Sequence, residues 1–222
     1  MSGKLIVLEG TDGSGKATQA RMMGQRLQRE GIAFREIDFP RYGNPFAEPA
    51  NLYLHGALGS EPGDVNAYAS SVLFAVDRFA SYKEEWGTFY EQGGVVIANR
   101  YTTSNAVHQA VKCAPEERGD FLRWLDDFEH EKLGLPRPDL VLYLDMPTQR
   151  AVELLRRRES DTNTHADIHE LDTQYLAACR ECALQAAGLL GWKVISCVDQ
   201  DGQVRSIQDI QQEVWSLTAP LL

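Results

Sequence analysis

Leu5-Ile6-Val7-Leu8-Glu9-Gly10-Thr11-Asp12-Gly13-Ser14-Gly15-Lys16-Ala17-Thr18 is the stretch on which the fold turns. A short continuous apolar run ended by glycine reads as a buried strand. The loop after it has the spacing G-x-x-x-x-G-K, from Gly10 to Gly15-Lys16. Its glycines let backbone N–H groups turn inward around an anion without Cβ clashes. The helix that follows adds its positive N-terminal end, and Lys16 is placed to reach β/γ-phosphates. Gly10, Gly13, Ser14, Gly15, Lys16, Ala17 and Thr18 are therefore the expected nucleotide-binding residues. The motif has one defect. Ala17 stands where a Ser or Thr hydroxyl normally binds Mg²⁺, and Thr18, one residue on, points elsewhere on a regular helix.

Four more apolar runs, at 33–38, 94–98, 140–145 and 193–198, join 4–9 as expected strands. They mostly lack alternation, as strands covered on both faces do. Helical patterns separate them at 16–30, 66–91, 104–112, 116–132, 148–158, 168–190 and 206–217, with Gly31 as a left-handed stop after the first. Strand alternating with helix implies an α/β P-loop fold, a five-stranded parallel sheet flanked by helices, with ligands at the carboxyl ends of its strands. The polar, turn-rich stretch 160–166 reads as a loop within one domain covering 1–222.

At 222 residues the chain is long enough for one well-cored α/β domain, and 43% apolar residues favour a packed globule over disorder. A net charge of −10 argues against a broad nucleic-acid-binding face, although a few arginines suffice for small anions. Cys179 and Cys182 have C-x-x-C spacing but lie in a helical pattern with no second pair. They, Cys113 and Cys197 read as free thiols. No apolar run is long enough to span a bilayer or form a leader, so no membrane partner and a cytoplasmic location are expected.

The informative polar residues follow the strands. Asp38-Phe39-Pro40-Arg41-Tyr42-Gly43 comes after the second, and Asn99-Arg100-Tyr101 with Ser104-Asn105 after the third. Two arginines and a P-loop lysine around one crevice suit phosphoryl transfer between phosphate-bearing ligands, which needs charge neutralisation more than a strong base. Phe74 and Arg78, four apart, share a helix face. One reading is a ring that stacks on a base beside a guanidinium at its edge. The other is a core phenylalanine with Arg78 paired to Asp77 or Glu85.

GTDGSGK (10–16), FPRYG (39–43), LFAVDRF (73–79) and NRYTTSN (99–105) occur in the order and spacing of thymidylate kinases, and the chain resembles that family over about residues 4–190. The resemblance implies an enzyme that converts dTMP and ATP to dTDP and ADP with Mg²⁺, as a homodimer. It implies that Lys16 holds ATP phosphates, that Arg41 and Arg100 clamp the dTMP phosphate, and that Asp12 lies near the sugar 3′-hydroxyl. Phe74 would stack on thymine, Arg78 and Asn105 would bond its edge, Ser104 would sit beside them, and Tyr42 near sugar and phosphate. Residues 157–170 resemble the family's lid. With Gly13 in the P-loop the resemblance places an extra catalytic arginine in the lid, Arg158 ahead of Arg157. His108 and His169 stand where some members carry tyrosines, the first a sensor of the missing 2′-hydroxyl.

Two departures bear on the metal. Asn99 replaces the family's usual aspartate, and Ala17 the P-loop hydroxyl, so Mg²⁺ would rest on phosphates, water and one carboxylate, Glu170 or Asp12. Asp145 and Glu9 are either helpers through water or buried structural partners. Asp167 and Glu170 also have the spacing of a capping box. A deoxynucleoside kinase would phosphorylate a neutral hydroxyl and carry a carboxylate after the second strand, where this chain has Arg41. A binder that had lost catalysis would fit Ala17 and Asn99, but leaves Lys16, Asp12, Arg41 and Arg100 without a reason to occur together.

Overall fold

A computed structural model describes residues 2–162, 169 and 172–222, the side chains of 158–162 excepted. The apolar runs form strands β1 (Lys4–Glu9), β2 (Phe34–Asp38), β3 (Val95–Asn99), β4 (Leu140–Asp145) and β5 (Lys193–Ser196). They pair in parallel in the order β2-β3-β1-β4-β5. The lack of alternation in their sequences has a direct cause. Leu5 and Val7 point into one core with Val96, Ala98, Val141 and Tyr143, while Ile6 and Leu8 point into another with Val95, Ile97, Leu142 and Leu144. Both faces of each inner strand are dry, so both must be apolar.

Helices α1 (Lys16–Arg29) and α9 (Ile207–Thr218) close the second core through Met23, Leu27, Ile210 and Val214. The first is closed by α5 (Thr103–His108), α6 (Arg118–Asp126) and α8 (Thr173–Leu190) through Val107, Phe121, Leu125 and Ala183. Gly31, at φ 72°, takes the left-handed position just after α1, as expected. Because β1 is central and adjoins β3, the loops leaving these two strands lie side by side at the carboxyl edge.

The helices depart from the sequence pattern in instructive ways. The stretch expected at 66–91 is α3 (Ala67–Ser81), capped by Asn66, then a wide π-type turn at Tyr82–Trp86, then α4 (Gly87–Glu91). The stretch at 116–132 likewise passes from α6 into a π-type turn at Asp127–Lys132. Each wide turn adds a residue and so redirects the side chains that follow. The helix expected at 104–112 stops at His108 and tightens into a 3₁₀ turn at Ala110–Lys112. No element was expected at 44–64, yet α2 (Glu48–Leu54) forms there, preceded by a turn that the Asn44 side chain caps. α8 starts at Thr173 rather than 168 because Asp172 takes the N-cap, accepting from the N–H groups of Gln174 and Tyr175. Asp167 lies outside the described residues, and α7 runs from Thr148 to Thr162.

Leu142 is fully buried in β4 between β1 and β5. Leu142→Ala should destabilise the fold by about 2–5 kcal/mol, seen as a lower urea midpoint at unchanged m-value. A loss of under about 1 kcal/mol would mean the two-faced packing tolerates a void there.

Candidate active site

Within the P-loop, the Lys16 ammonium donates to the carbonyl oxygens of Gly10 (2.8 Å) and Thr11 (3.0 Å), with the Asp12 carboxylate at 3.8 Å. Burial, and then the positive charge of Arg100, bring its pKa down to about 8 against the pull of Asp12 and Glu9. It stays cationic at neutral pH. The hydroxyls of Thr11 and Ser14 are buried without a partner among the described residues. Orphaned donors beside a lysine at a helix N-terminus are what an anion would satisfy. Gly13 has φ +82°, and a Cβ there would stand 2.4 Å from the Ala151 carbonyl oxygen of α7. That position therefore excludes any side chain.

Arg100, directly after β3, is the only non-glycine residue with positive φ (67°) among those described. Its N–H donates to the Leu8 carbonyl at 3.1 Å, so the strained residue is pinned to β1. Its guanidinium bonds the Asp12 carboxylate, donates to His108 Nε2 (3.1 Å), and lies 3.5 Å from Ser104 Oγ and 3.7 Å from Glu9. Burial alone would raise the Asp12 pKa, but the charges of Arg100 and Lys16 outweigh it and hold the carboxyl well below its usual range. Glu9 is fully buried; it accepts from the Gly10 N–H (2.9 Å) and from the Thr103 and Ser104 hydroxyls (2.7 Å each). It is a strut between the P-loop and α5. His108 is held neutral by burial and by Arg100. Since Nε2 accepts from Arg100, the proton sits on Nδ1, which is buried without a partner among the described residues.

Arg41 is gripped by carboxylates. Asp77 accepts from its backbone N–H (2.8 Å) and Nε (2.7 Å), and Glu85 (2.7 Å) and Glu84 (3.4 Å) accept from Nη1. The peptide Phe39–Pro40 just before it is cis. Asp77 and Glu85 thus serve Arg41, so the alternative that paired one of them with Arg78 does not hold. Arg78 is buried and pairs with Glu129 instead, through Nε at 2.8 Å and through Nη2. Asn105 Nδ2 donates to the same carboxylate (3.0 Å) and to the Ser71 carbonyl (3.2 Å). Phe74 is half-buried and packs edge-on to Tyr53 at 5.9 Å, and exposed Tyr42 is close enough to Arg100 to influence it.

His169 stacks on His108 at 5.4 Å, and its Nε2 is 2.8 Å from Tyr53 Oη. Lys112 donates to the Tyr53 hydroxyl (2.9 Å), the Val65 carbonyl (3.0 Å) and Ser70 Oγ (3.0 Å), and burial draws its pKa down to about 7. Asp145 is a structural partner, bound twice by Arg180 (2.6 and 2.9 Å). The Arg158 side chain and Glu170 lie outside the described residues. Among those residues no three metal-ligating side chains converge, and Glu9, Asp12 and Asp145 all have partners already. The donor set fits a polyphosphate; it does not by itself build a cation site. Glu129, Tyr53 and Lys112 were missed from sequence. Glu129 sits in the acidic run Asp126-Asp127-Phe128-Glu129-His130-Glu131, and the signal that could have found it is its four-residue spacing from Phe121 and Leu125.

The family model described as thymidylate kinase matches residues 8–207. The thymidylate kinase of Mycobacterium tuberculosis (strain H37Rv) is 33% identical over 172 residues, 77% of this chain and 79% of that protein. A putative thymidylate kinase of Aeropyrum pernix is 29% identical over 217 residues, 95% of this chain and 93% of its own length. The solved thymidylate kinase of Candida albicans shares the fold, with TM-score 0.70 at 20% identity over 99% of this chain and 92% of that one.

Burial, and then Lys112, lower the pKa of His169 from 6.5 to about 3. From pH 6.5 down to about 5 the unfolded chain takes up a proton that this imidazole and His108 refuse. Stability should therefore fall with pH there, by about 1.4 kcal/mol per pH unit for each histidine. His169→Phe should flatten the slope of urea-derived stability against pH by about one proton; an unchanged slope would show that His169 titrates normally.

Proposed function

The chain belongs to the thymidylate kinase family, and on that premise we propose how its residues divide the phosphorylation of dTMP. The observation that carries the division is the Arg100–Asp12 pair, which ties the P-loop to the residues after β3. ATP occupies the P-loop side. Its phosphates satisfy the Thr11 and Ser14 hydroxyls and the backbone N–H groups of Gly13 and Gly15, and Lys16 neutralises the β/γ oxygens. Ala17 and Thr18 carry the loop into α1.

The dTMP phosphate lies between Arg41 and Arg100. Arg41 keeps its Nε on buried Asp77 while Nη1 exchanges the half-exposed Glu84 and Glu85 for the phosphate. Phe74 stacks on thymine, and Arg78 and Asn105 bond its edge. Ser104, Tyr42 and the His108 Nδ1–H line the sugar side, with Asp12 near the 3′-hydroxyl. The attacking oxygen is already anionic, so no general base is required; alignment and charge neutralisation carry the rate. That separates this reading from a deoxynucleoside kinase, whose hydroxyl acceptor needs a carboxylate where this chain has Arg41. With Gly13 in the P-loop, where a side chain would collide with α7, the family resemblance puts the additional arginine in the lid, as Arg158.

Glu170 or Asp12 would be the carboxylate that serves Mg²⁺ bound with the ATP phosphates, whose charge the ion would screen. Asp38, paired in register with Asn99, is a further carboxylate at this edge. Tyr68, Val72, Val76 and Phe79 are exposed at spacings that put them on one stripe of α3. A second copy of the chain is the occupant we propose for it. The whole of 1–222 acts as one domain, in the cytoplasm, on small nucleotides and not on nucleic acid or membranes.

A coupled assay of ADP release with dTMP, dUMP, dCMP, dGMP and thymidine tests this reading. Lys16→Ala should lower turnover at least ~10²–10³-fold, and near-normal activity would overturn the mechanism. Phe74→Ala should raise the KM for dTMP about ten- to a hundredfold while that for ATP stays within about twofold. Equal losses for both would remove the stacking role.

A further inference from the structure

We infer that Glu129 is a positioning residue that sets the hydrogen-bond polarity with which the acceptor site reads its base, selecting a ring N–H beside a carbonyl over an exocyclic amine. The inference rests on the reading of Arg78 and Asn105 as base-edge contacts. Glu129 is fully buried in an acidic run whose Asp126, Asp127 and Glu131 are exposed, and it continues at four-residue spacing the face on which Phe121 and Leu125 are buried. There it meets both proposed base-reading side chains.

Asn105 offers two N–H donors on Nδ2 and one acceptor, Oδ1. Both of its Nδ2 neighbours, the Ser71 carbonyl and Glu129 Oε1, are acceptors that cannot donate. Turning the amide over would set Oδ1 against two oxygens, so the orientation is fixed, and Oδ1 accepts no hydrogen bond from a described residue. Asn105 therefore has only an acceptor to show a ligand. Arg78 gives Nε and Nη2 to Glu129, which leaves Nη1, a donor. Together the two side chains present one donor and one acceptor.

Thymine and uracil match that pair with a carbonyl at position 4 and an N–H at position 3. Cytosine reverses both, setting donor on donor and acceptor on acceptor. A site that bonds a ligand in this way rejects a mismatched analogue because its buried polar groups are left unpaired. Stability does not account for a carboxylate here, since apolar residues replace buried ion pairs at little or no cost.

The test is the ratio of kcat/KM for dTMP to that for dCMP, in wild type and in Glu129→Gln, with the KM for ATP and the melting temperature recorded. A glutamine with its N–H₂ in the Oε1 position faces Asn105 and Arg78 Nη2 and frees Asn105 to rotate; with it in the Oε2 position it sets a donor against Arg78 Nε and releases Arg78 instead. We expect the wild type to favour dTMP and dUMP over dCMP, and the variant to narrow the dTMP-to-dCMP ratio at least about tenfold, with the KM for ATP within about twofold. An unchanged ratio, with both acceptors losing equally, would mean a structural role only and overturn the inference. If Glu129→Gln does not fold, Glu129→Asp, which keeps the charge beside Arg78 but withdraws it from Asn105, is read by the same ratio and the same criteria. A wild type inactive on dTMP would overturn the base-edge reading together with the inference; an active, dTMP-selective wild type whose variants keep the ratio overturns the inference alone.

Discussion

The junction of Arg100 with Asp12 and Glu9 is the constraint on which the rest of this site depends. Parallel pairing of β1 with β3 brings the P-loop and the Arg100 turn to one edge, with Leu8 opposite Asn99. Arg100 then adopts a left-handed backbone, a conformation that costs on the order of 1–3 kcal/mol in a residue with a side chain. The Leu8 carbonyl, two carboxylates and His108 hold it there. In return its guanidinium faces back over the P-loop rather than continuing along the strand. The P-loop and the turn after β3 are thus joined through Arg100, and Glu9 braces the P-loop and α5 through Gly10, Thr103 and Ser104.

The strands and the P-loop were legible because local sequence decides them. A strand buried on both faces must be apolar throughout, and β1 and β4 have the expected bounds of 4–9 and 140–145. Glycines at positive φ in a phosphate loop are required by sterics whatever surrounds them. Arg41, Arg100 and Asn105 were legible as candidates because residues that follow the strands of a parallel sheet lie at its carboxyl edge, and Phe74 and Arg78 because their four-residue spacing gives them one face of α3.

Their partners were not legible. Glu85 and Glu129 both belong to π-type turns and bind arginines 44 and 51 residues away, which no local pattern predicts. Glu129 follows buried Phe121 and Leu125 at four-residue spacing, but a carboxylate in an acidic run carries no apolar signal of burial. In the fold one member of it is completely dry. α2 and the α8 cap at Asp172 were missed for a simpler reason, since short helices and single caps leave weak periodic signals. The cysteines followed expectation. Cys179, Cys182 and Cys197 are buried free thiols, and Cys113 is half-buried.

The acidic composition and a site for two polyanions are consistent once the arginines are sorted by partner. Arg78 and Glu129 are both essentially inaccessible, at 2% and 0% side-chain exposure, so this pair keeps its geometry with or without a ligand. Arg41 has one buried partner, Asp77, and two half-exposed ones, Glu84 and Glu85, at 47% each. The exposed contacts are screened by solvent and are weak, so a phosphate can displace them while Asp77 keeps the guanidinium in place. Arg100 is intermediate, joined to a P-loop carboxylate that is itself part of the site. The carboxylates thus do more than balance charge. Where they are dry they fix a donor's direction, and where they are wet they hold an arginine ready for exchange. On the proposed roles, base recognition requires the first kind of partner and phosphate capture the second.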